Sequence, residues 1–261
     1  MSKHIIENYL LPDKYPNVNA NNDRNHYQSS CGFDNLIIEK TIEFNFREKR
    51  TIFTYNEKPY KSHDENAVIS DCIFQSDVEI KSLNQNITFK NCTFEKKLSI
   101  GIKQKNLTDE EKNVPKGLQE LDAVVLAIDN CTIHELHIKD ATIKSKFYIN
   151  KQSCENEKKV NIEKLFIKDT IFEENFKLHN CKVSVVEIED TDFKKNADFF
   201  KSEFINGILK KNEEENIEDN YIGFKAINFE GLALFGDTIF HKKLIFEMLH
   251  LKGITILKVQ Y

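Results

Sequence analysis

The chain lacks the residues on which several common architectures depend. Its 261 residues include no Trp, eight Gly, four Pro and two Met. So few Gly and Pro exclude a collagen-like chain and a low-complexity disordered one. The longest apolar runs, such as 123–128, are far too short to span a bilayer. The first residues hold only a short apolar patch rather than a secretory signal, so we expect a soluble, cytoplasmic chain.

Motifs that carry chemistry are also missing. There is no G-x-G-x-x-G, P-loop or G-x-S-x-G, and no C-x-x-C or Cys/His pair at metal-ligand spacing. His134 and His137 fall at positions predicted to face outward, and we interpret them as surface residues. Glu187 and Glu189 flank a predicted inward residue, Ile188, and indicate a solvated face. The sequence therefore predicts no catalytic residue, no metal site, no cofactor and no enzyme activity.

The sequence contains no long segment in which charges of one sign are concentrated. The 37 Lys and Arg are interspersed with 42 Asp and Glu, which gives a net charge of −5. No basic stripe with interleaved aromatic residues is present, so we expect no direct nucleic-acid contact.

What the chain does contain is a beat of five and six residues, clearest over 165–204. Large apolar residues recur there at Ile167, Phe172, Leu178, Val183, Ile188, Phe193, Phe199 and Phe204. Two places before each lies a second, often smaller residue, such as Thr170, Cys181 or Thr191. Neither a helix period of 3.6 nor a long alternation of two produces this spacing. It is typical of a repeat architecture.

Residues i−2 and i of a short extended segment point the same way, so each beat predicts one face of a coil. Steps from Phe172 to Phe193 sum to 21 residues, which fits four faces per turn. We therefore predict an all-β, right-handed, quadrilateral parallel β-helix with about 21 residues per coil. Roughly nine coils would make a rod about 40–45 Å long. We expect the six-residue step on the same face of every coil.

The boundaries follow from where the beat holds. Residues 1–34 show no register and predict an irregular arm, with a short helix over 4–11, that covers the first coil. Residues 35–261 predict the β-helix, with a polar loop over 57–67 and an inward Leu234. Insertions are expected near 101–122, 150–161 and 205–222. A capping-box pair, Thr108 and Glu111, predicts a short helix in the first of them.

Four cysteines occupy the small position two places before an apolar residue: Cys72, Cys92, Cys131 and Cys181. Because Cys behaves as a small hydrophobe in a core, we expect buried, reduced thiols. Cys31 and Cys154 lie outside the beat, in predicted loops.

The runs KNCTFEKKLSI, DNCTIHELHI, EDTDFKKNADF and GDTIFHKKLIF resemble degenerate pentapeptide repeats of consensus A(D/N)LXX. The resemblance covers roughly 67–261 apart from the insertions. It implies a filled parallel β-helix. Some proteins of that family mimic duplex DNA and modulate DNA gyrase, so the resemblance also implies that role as an alternative.

We expect a non-enzymatic interaction or scaffold protein that binds an unknown protein partner through its insertions. The predicted contact residues are the acids of the third insertion: Glu213, Glu214, Glu215, Glu218 and Asp219. The beat runs on to Tyr261 without a polar cap. This predicts either a homodimer through the last coil or a soluble N-terminal module of a longer, membrane-attached protein, with no membrane contact by this segment.

Overall fold

A computed structural model describes the backbone over 4–5, 36–38, 42–45, 51–55, 58–61, 66–82, 86–101, 125–150, 159–207, 210–211, 218–219, 221–252 and 256–260. Side chains are described over 37–38, 68–80, 86–101, 125–150, 159–207 and 221–252. Within these ranges every regular element is a strand.

Nine short strands form the N-terminal part: His4–Ile5 (β1), Leu36–Ile38 (β2), Ile42–Asn45 (β3), Thr51–Tyr55 (β4), Lys58–Lys61 (β5), Asn66–Ser70 (β6), Ile73–Phe74 (β7), Val78–Ser82 (β8) and Asn86–Lys90 (β9). The central part holds the longest strands: Thr93–Ile100 (β10), Val125–Asp129 (β11), Thr132–Ile143 (β12), Lys146–Ile149 (β13), Val160–Phe172 (β14), Phe176–Leu178 (β15), Cys181–Phe193 (β16), Ala197–Asp198 (β17) and Glu203–Gly207 (β18). The C-terminal part consists of Lys210–Lys211 (β19), Glu218–Asp219 (β20), Ile222–Phe229 (β21), Ala233–Phe240 (β22), Leu244–Glu247 (β23), His250–Leu251 (β24) and Ile256–Gln260 (β25).

One sheet contains 23 of these strands, and all of its pairs are parallel pairs between successive coils except β3 with β4 and β4 with β5, which are antiparallel. In the regular part, Phe172 of β14 lies opposite Phe193 of β16, which is an offset of one 21-residue coil. The longest series of paired strands runs β1–β2–β7–β10–β12–β14–β16–β18–β22–β25. Nine steps at strand spacing give a length of about 43 Å. The predicted all-β parallel solenoid is confirmed.

Four columns of inward side chains run along the rod, one for each face, and we name them A to D in chain order. Column A holds Ile38, Phe74, Phe94, Ile133, Ile162, Val183, Phe204 and Phe240. Column B holds Ile80, Ile100, Ile138, Ile167, Ile188 and Phe224. Column C holds Ile143, Phe172, Phe193 and Phe229, and column D holds Ile69, Phe89, Ile128, Ile149, Leu178, Phe199 and Phe235. All of these side chains are buried.

Phenylalanine rings stack within the columns. The rings of Phe172 and Phe193 have centroids 5.0 Å apart and an interplanar angle of 2°. Phe229 continues that stack at 5.0 Å from Phe193, and Phe199 stacks on Phe235 at 4.7 Å. Such offset or parallel pairs contribute about 0.5–1.5 kcal/mol beyond the area they bury. The predicted stacking of Phe172 on Phe193 is confirmed.

The small inward positions are also filled as predicted. Cys72, Cys92, Cys131 and Cys181 are buried thiols that take part in no disulfide bond. The buried hydroxyl of Thr170 donates to the carbonyl oxygen of Lys168 at 2.8 Å, and that of Thr191 donates to the carbonyl of Glu189 at 2.8 Å. A buried hydroxyl without such a partner would cost about 1–3 kcal/mol. Cys31 and Cys154 lie outside the described residues.

Asp and Asn turn the corners because they adopt the left-handed conformation more readily than other side chains. One corner, between columns D and A, has positive φ at Asp71, Asn91, Asn130, Asn180, Lys201 and Asp237. A second, after column B, has positive φ at Asp140, Asp169, Asp190, Ala226 and Met248. Neighbouring coils also bond through these side chains, as where Asn91 Nδ2 donates to Asp71 Oδ1 at 3.2 Å.

The expectation that the six-residue step lies on one face is wrong. It leads from column C to column D after Ile143, Phe172 and Phe193, but from column A to column B after Phe74 and Phe94. The face from A to B absorbs the extra residue as a register shift between Phe94 and Lys97. A further six-residue step leads from Phe229 to Phe235, which is buried. The prediction that Leu234 faces inward is therefore also wrong, because Leu234 lies half-buried on the outside.

Two N-terminal predictions need correction. Strand β4 pairs antiparallel with β3 and β5, so Lys58–Lys61 is part of a hairpin rather than of a polar loop over 57–67. His4–Ile5 forms a strand instead of starting a helix, and it pairs parallel with Leu36 and Ile37 of the first coil. The remainder of the predicted arm lies outside the described residues.

The flanking strands extend further than predicted, so the second and third insertions are shorter. Val160 and Asn161 already belong to β14, and the third insertion starts only after Gly207 and ends before Ile222. Most of the first two insertions, including the predicted short helix, lies outside the described residues. The third contains an antiparallel pair, β19 with β20.

The Phe stack gives a direct test of the column interpretation. We expect Phe193→Ala to lower the free energy of unfolding by about 3–5 kcal/mol, because the cavity would lie between Phe172 and Phe229. Chemical denaturation followed by circular dichroism measures this. Phe166→Ala is the control, since Phe166 is half-exposed on the outer surface, and we expect a loss of about 1 kcal/mol or less. Equal losses for the two variants would contradict a core built from column C.

Candidate interaction surface

The interior of the rod offers no space for a substrate in its described part. The most enclosed depression, between Glu189, Tyr221 and Lys225, holds about 30 Å³, the volume of one water molecule. The larger depressions, of about 500–590 Å³, are open troughs on the outside of the sheet. Any contact with another molecule therefore falls on the outer surface of the faces, on the insertions or at the ends.

Two histidines that the sequence placed on the surface share a carboxylate network there. His134 Nδ1 lies 2.6 Å from Glu163 Oε2, and His137 Nε2 lies 3.0 Å from Glu135 Oε2. Lys164 donates to Glu135 Oε1 at 2.8 Å, so a cation already occupies the shared carboxylate. Burial lowers the pKa of His137, and the Glu135 carboxylate offsets part of that effect. Among the described residues no group of three such side chains is placed to hold a metal ion.

A contact between a buried histidine, His179, and an aspartate, Asp198, was not expected from the sequence. His179 is buried, and its Nε2 lies 2.8 Å from Asp198 Oδ2 on the next coil. Its ring also meets the edge of Phe200 with centroids 5.9 Å apart. The two residues are 19 positions apart, close to one coil, which is the signal that would have found them. The Cys181 thiol contacts the main-chain oxygen of His179 at 3.1 Å, but no described contact puts a nucleophile against the His179 ring. We therefore interpret His179 and Asp198 as an electrostatic contact between two coils.

Lysine and glutamate alternate from coil to coil along the outside. Glu189 accepts bonds from Lys168 at 3.2 Å and Lys225 at 3.1 Å, on the coils before and after it. Glu230 lies in the same way between Lys194 and Lys252. The pKa of the Glu189 carboxyl falls below its ordinary value because both ammonium groups stabilise the anion. A DNA mimic needs a run of acids, and these alternating pairs do not supply one, so the gyrase role stays a prediction.

The third insertion is pinned at its base. A Cβ on Gly207 would lie 1.6 Å from the carbonyl oxygen of Tyr221, so the two ends of the insertion touch and only Gly fits. Lys210 pairs antiparallel with Asp219, and Lys211 pairs with Glu218. The hairpin therefore leaves the rod from a fixed point. Of the predicted contact residues, Glu218 and Asp219 lie in β20, whereas Glu213, Glu214 and Glu215 lie outside the described residues.

The largest exposed apolar side chains lie near the C-terminal end. Met248 is 65 % exposed and Leu251 is 46 % exposed, and the only other large apolar residue of this kind in the described part is Ile171 at 37 %. Leu251 falls five residues after Phe246, at a position that the spacing of five and six residues predicts to face inward, whereas Met248 does not fall at such a position. Met248 could have been recognised as an outer corner residue, because it occupies the corner position that Asp169 and Asp190 occupy in earlier coils.

Comparisons with protein-family models, with curated proteins and with solved structures find no match to this chain. The fold defines its class as a parallel β-solenoid. The resemblance to pentapeptide repeats stays a prediction. Among the described residues no helix is long and apolar enough to cross a membrane.

The cross-coil ion pairs predict acid-sensitive stability. Neighbouring lysines lower the pKa values of Glu135, Glu189 and Glu203 below the ordinary 4.5. A lowered pKa in the folded state stabilises the fold above the unfolded value, so that stability is lost as the pH falls through 4.5 and below. We expect the free energy of unfolding to decline from pH 5 to about pH 3 and the decline to be shallower in Glu189→Gln. Denaturation curves across that range measure it, and Glu187→Gln on the same strand should leave the decline unchanged.

The pinned base of the hairpin predicts a position-specific effect of one methyl group. We expect Gly207→Ala to lower the free energy of unfolding by about 1–3 kcal/mol, because Tyr221 or the strand end must move. Gly101→Ala is the matched control, since the nearest atom of the described residues to its added Cβ is 3.9 Å away. That control should be neutral or slightly stabilising. A harmless Gly207→Ala would contradict the close contact with Tyr221.

Proposed function

We propose that this chain is a non-enzymatic interaction protein: a β-solenoid of the pentapeptide-repeat type whose rigid frame presents a hairpin to a protein partner. The observation that carries the proposal is the fixed base of the 208–221 insertion, where Gly207 and Tyr221 touch. Loops held on a rigid scaffold are frequent binding elements. The filled Phe columns support the same conclusion, because they leave no cleft in the described interior where substrate chemistry could be sheltered.

The register also supports the hairpin as an addition rather than a part of the frame. Ile188 pairs with Phe224, an offset of 36 residues, whereas Val183 pairs with Phe204 at the regular offset of 21. The 15 residues by which the two offsets differ all lie between Phe204 and Phe224, where the insertion interrupts the coil. Their acidic residues, Glu218 and Asp219 among them, favour a partner with a basic surface.

A shortened chain tests the proposal without disturbing the core. Deletion of 207–221 would join Asn206 to Ile222 and restore a five-residue step from Phe204 to Phe224, with Ile222 in the inward position that Val186 occupies one coil below. We expect this variant to fold with unchanged circular dichroism and to lose its partner. Photo-crosslinking in the native cells from a probe at Glu214, compared with a probe at Ser184 on an outer face, first identifies the partner. Co-purification of that partner with the intact chain and with the shortened chain then measures whether the shortened chain has lost it. A shortened chain that keeps the crosslinked partner, or a probe at Glu214 that captures no protein more than the one at Ser184, would overturn the proposal.

A further inference from the structure

Three thiols follow one another along the inner side of the corner between columns D and A. Cys72, Cys92 and Cys131 occupy the same position on three successive coils, each one place before residues that pair in register. All three are buried. Equivalent positions of neighbouring parallel strands lie about 4.8 Å apart, so each thiol faces the next. Cys92 and Cys131 are 39 residues apart in the chain, so no short sequence motif contains both.

Main-chain groups are aimed at these sulfur atoms. The N–H of Cys92 donates to Cys131 Sγ, with the nitrogen and sulfur 3.3 Å apart. The main chain of Cys72 makes a hydrogen bond to the Cys92 thiol one coil further on. Hydrogen bonds from N–H groups favour the charged form of the group that accepts them. The corner therefore supplies donors for sulfur atoms that carry negative charge.

The thiols of Cys92 and Cys131 contact each other directly. The hydrogen bond with the Cys131 thiol raises the pKa of Cys92, burial adds to that effect, and a bond with the Cys72 thiol acts in the opposite direction. Cys92 Sγ also donates to the carbonyl oxygen of Ile69 at 3.3 Å, and Cys131 Sγ donates to that of Asp129 at 3.2 Å. Cys92 therefore keeps its proton until a cation displaces it.

An open trough on the outer surface gives access to this pair. It has a volume of about 590 Å³, and the residues that line it include Cys92 and Cys131 together with Asp71, Asn91 and Asn130. Carboxylate and amide oxygens of this kind attract cations. The amides of Asn91 and Asn130 bond to each other, and each is followed directly by one of the two cysteines. A cation in the trough is thus separated from the thiols by a single layer of corner residues.

The arrangement of the ligands selects the kind of ion. Thiolates are soft ligands and favour Cu(I), zinc or iron–sulfur clusters. Zinc and iron–sulfur clusters need four ligands, whereas the part of the chain that the structure describes has no group of even three placed to hold a metal ion. Cu(I) is stable between two opposed thiolates. Two metal–sulfur bonds of about 2.3 Å in line span about 4.6 Å, close to the strand spacing of about 4.8 Å.

We propose that Cys92 and Cys131 bind one Cu(I) ion between two coils as a pair of opposed thiolates. Two Cu–S bonds form, the two S–H bonds break and their protons pass to solvent, and the copper stays in the same oxidation state. The site then carries one negative charge, and the main-chain bonds from Cys72 and Cys92 stabilise it. The inference goes beyond the proposed function and does not depend on the hairpin.

Titration of the reduced full chain with Cu(I), without oxygen and against a coloured Cu(I) chelator, tests the site. Cys31→Ser and Cys154→Ser together provide the background chain, since those two thiols lie outside the described residues. We expect one ion per chain, and X-ray absorption should show two sulfur ligands at about 2.3 Å. Cu(I) should also raise the Tm, because only the folded chain holds the two sulfur atoms together.

Serine variants of this chain identify the ligands. Cys92→Ser and Cys131→Ser should each weaken Cu(I) binding by roughly a hundredfold or more, because a hydroxyl is a poor ligand for a soft cation. Cys181→Ser is the matched control, since Cys181 lies in the same column between Val160 and Ser202 and should leave the affinity unchanged. Serine fits this position, as the buried Ser202 shows, and circular dichroism checks that each variant keeps the fold.

Several results would overturn the site. They are a chain that yields all of its Cu(I) to the chelator, an absorption spectrum with oxygen ligands or with more than two ligands, and a Cys181→Ser variant that loses as much affinity as Cys92→Ser. Cys72→Ser should change the affinity by less than about threefold, because serine keeps a hydrogen-bond donor there. A loss as large as that of Cys131→Ser would contradict the assignment of Cys131 as the second ligand. The X-ray absorption of the background chain decides the question even where a serine variant fails to fold.

Discussion

Strands in this solenoid pair about 4.8 Å apart, so each coil must offer the next one the same cross-section. A side chain that fits one coil must also fit against its equivalent above and below. Flat rings satisfy this condition by stacking, as Phe172, Phe193 and Phe229 do at centroid distances of 5.0 Å. Thiols and hydroxyls satisfy it at the narrow positions, where Thr170 and Thr191 bond to carbonyl groups within their own coil. An indole would exceed the width that every coil shares, and the chain contains none.

The same constraint decides where additional residues can go. Extra chain cannot enter the columns, so it leaves the rod at a corner or beside a face and returns to the next position. Gly207 and Tyr221 mark such an exit and return, with no room for even one Cβ between them. Variation that the core forbids is therefore moved to the outside of the rod. This is the physical reason for seeking function in the hairpin rather than in the regular faces.

The columns could be predicted from the sequence because the residues that form them are buried, and burial requires apolar side chains at a regular spacing. Spacing along one chain does not reveal which coil lies beside which, so the face that carries a six-residue step was assigned wrongly at Phe74 and Phe94. Alternation in Thr51–Tyr55 fits a coil face as well as it fits the antiparallel hairpin that forms. The contact of His134 with Glu163 joins residues 29 apart, because the second insertion adds to one coil and hides the period. The exposure of Met248 depends on which strands pack beside its coil, and its own neighbours in sequence do not encode that.

Corner residues show how backbone geometry and charge compete in such a stack. Asp140, Asp169 and Asp190 occupy one column, where three carboxylates follow one another at the strand spacing. Two like charges about 4.8 Å apart in water repel by about 0.9 kcal/mol. A residue other than Gly, Asn or Asp in the left-handed conformation costs about 1–2 kcal/mol, so Asp remains the better choice despite the repulsion. Nearby ammonium groups such as Lys168 reduce the repulsion further. Ala226 and Met248 end the series by accepting the conformational cost without the charge. For Met248 that exchange also turns the corner from acidic to apolar, with the side chain 65 % exposed.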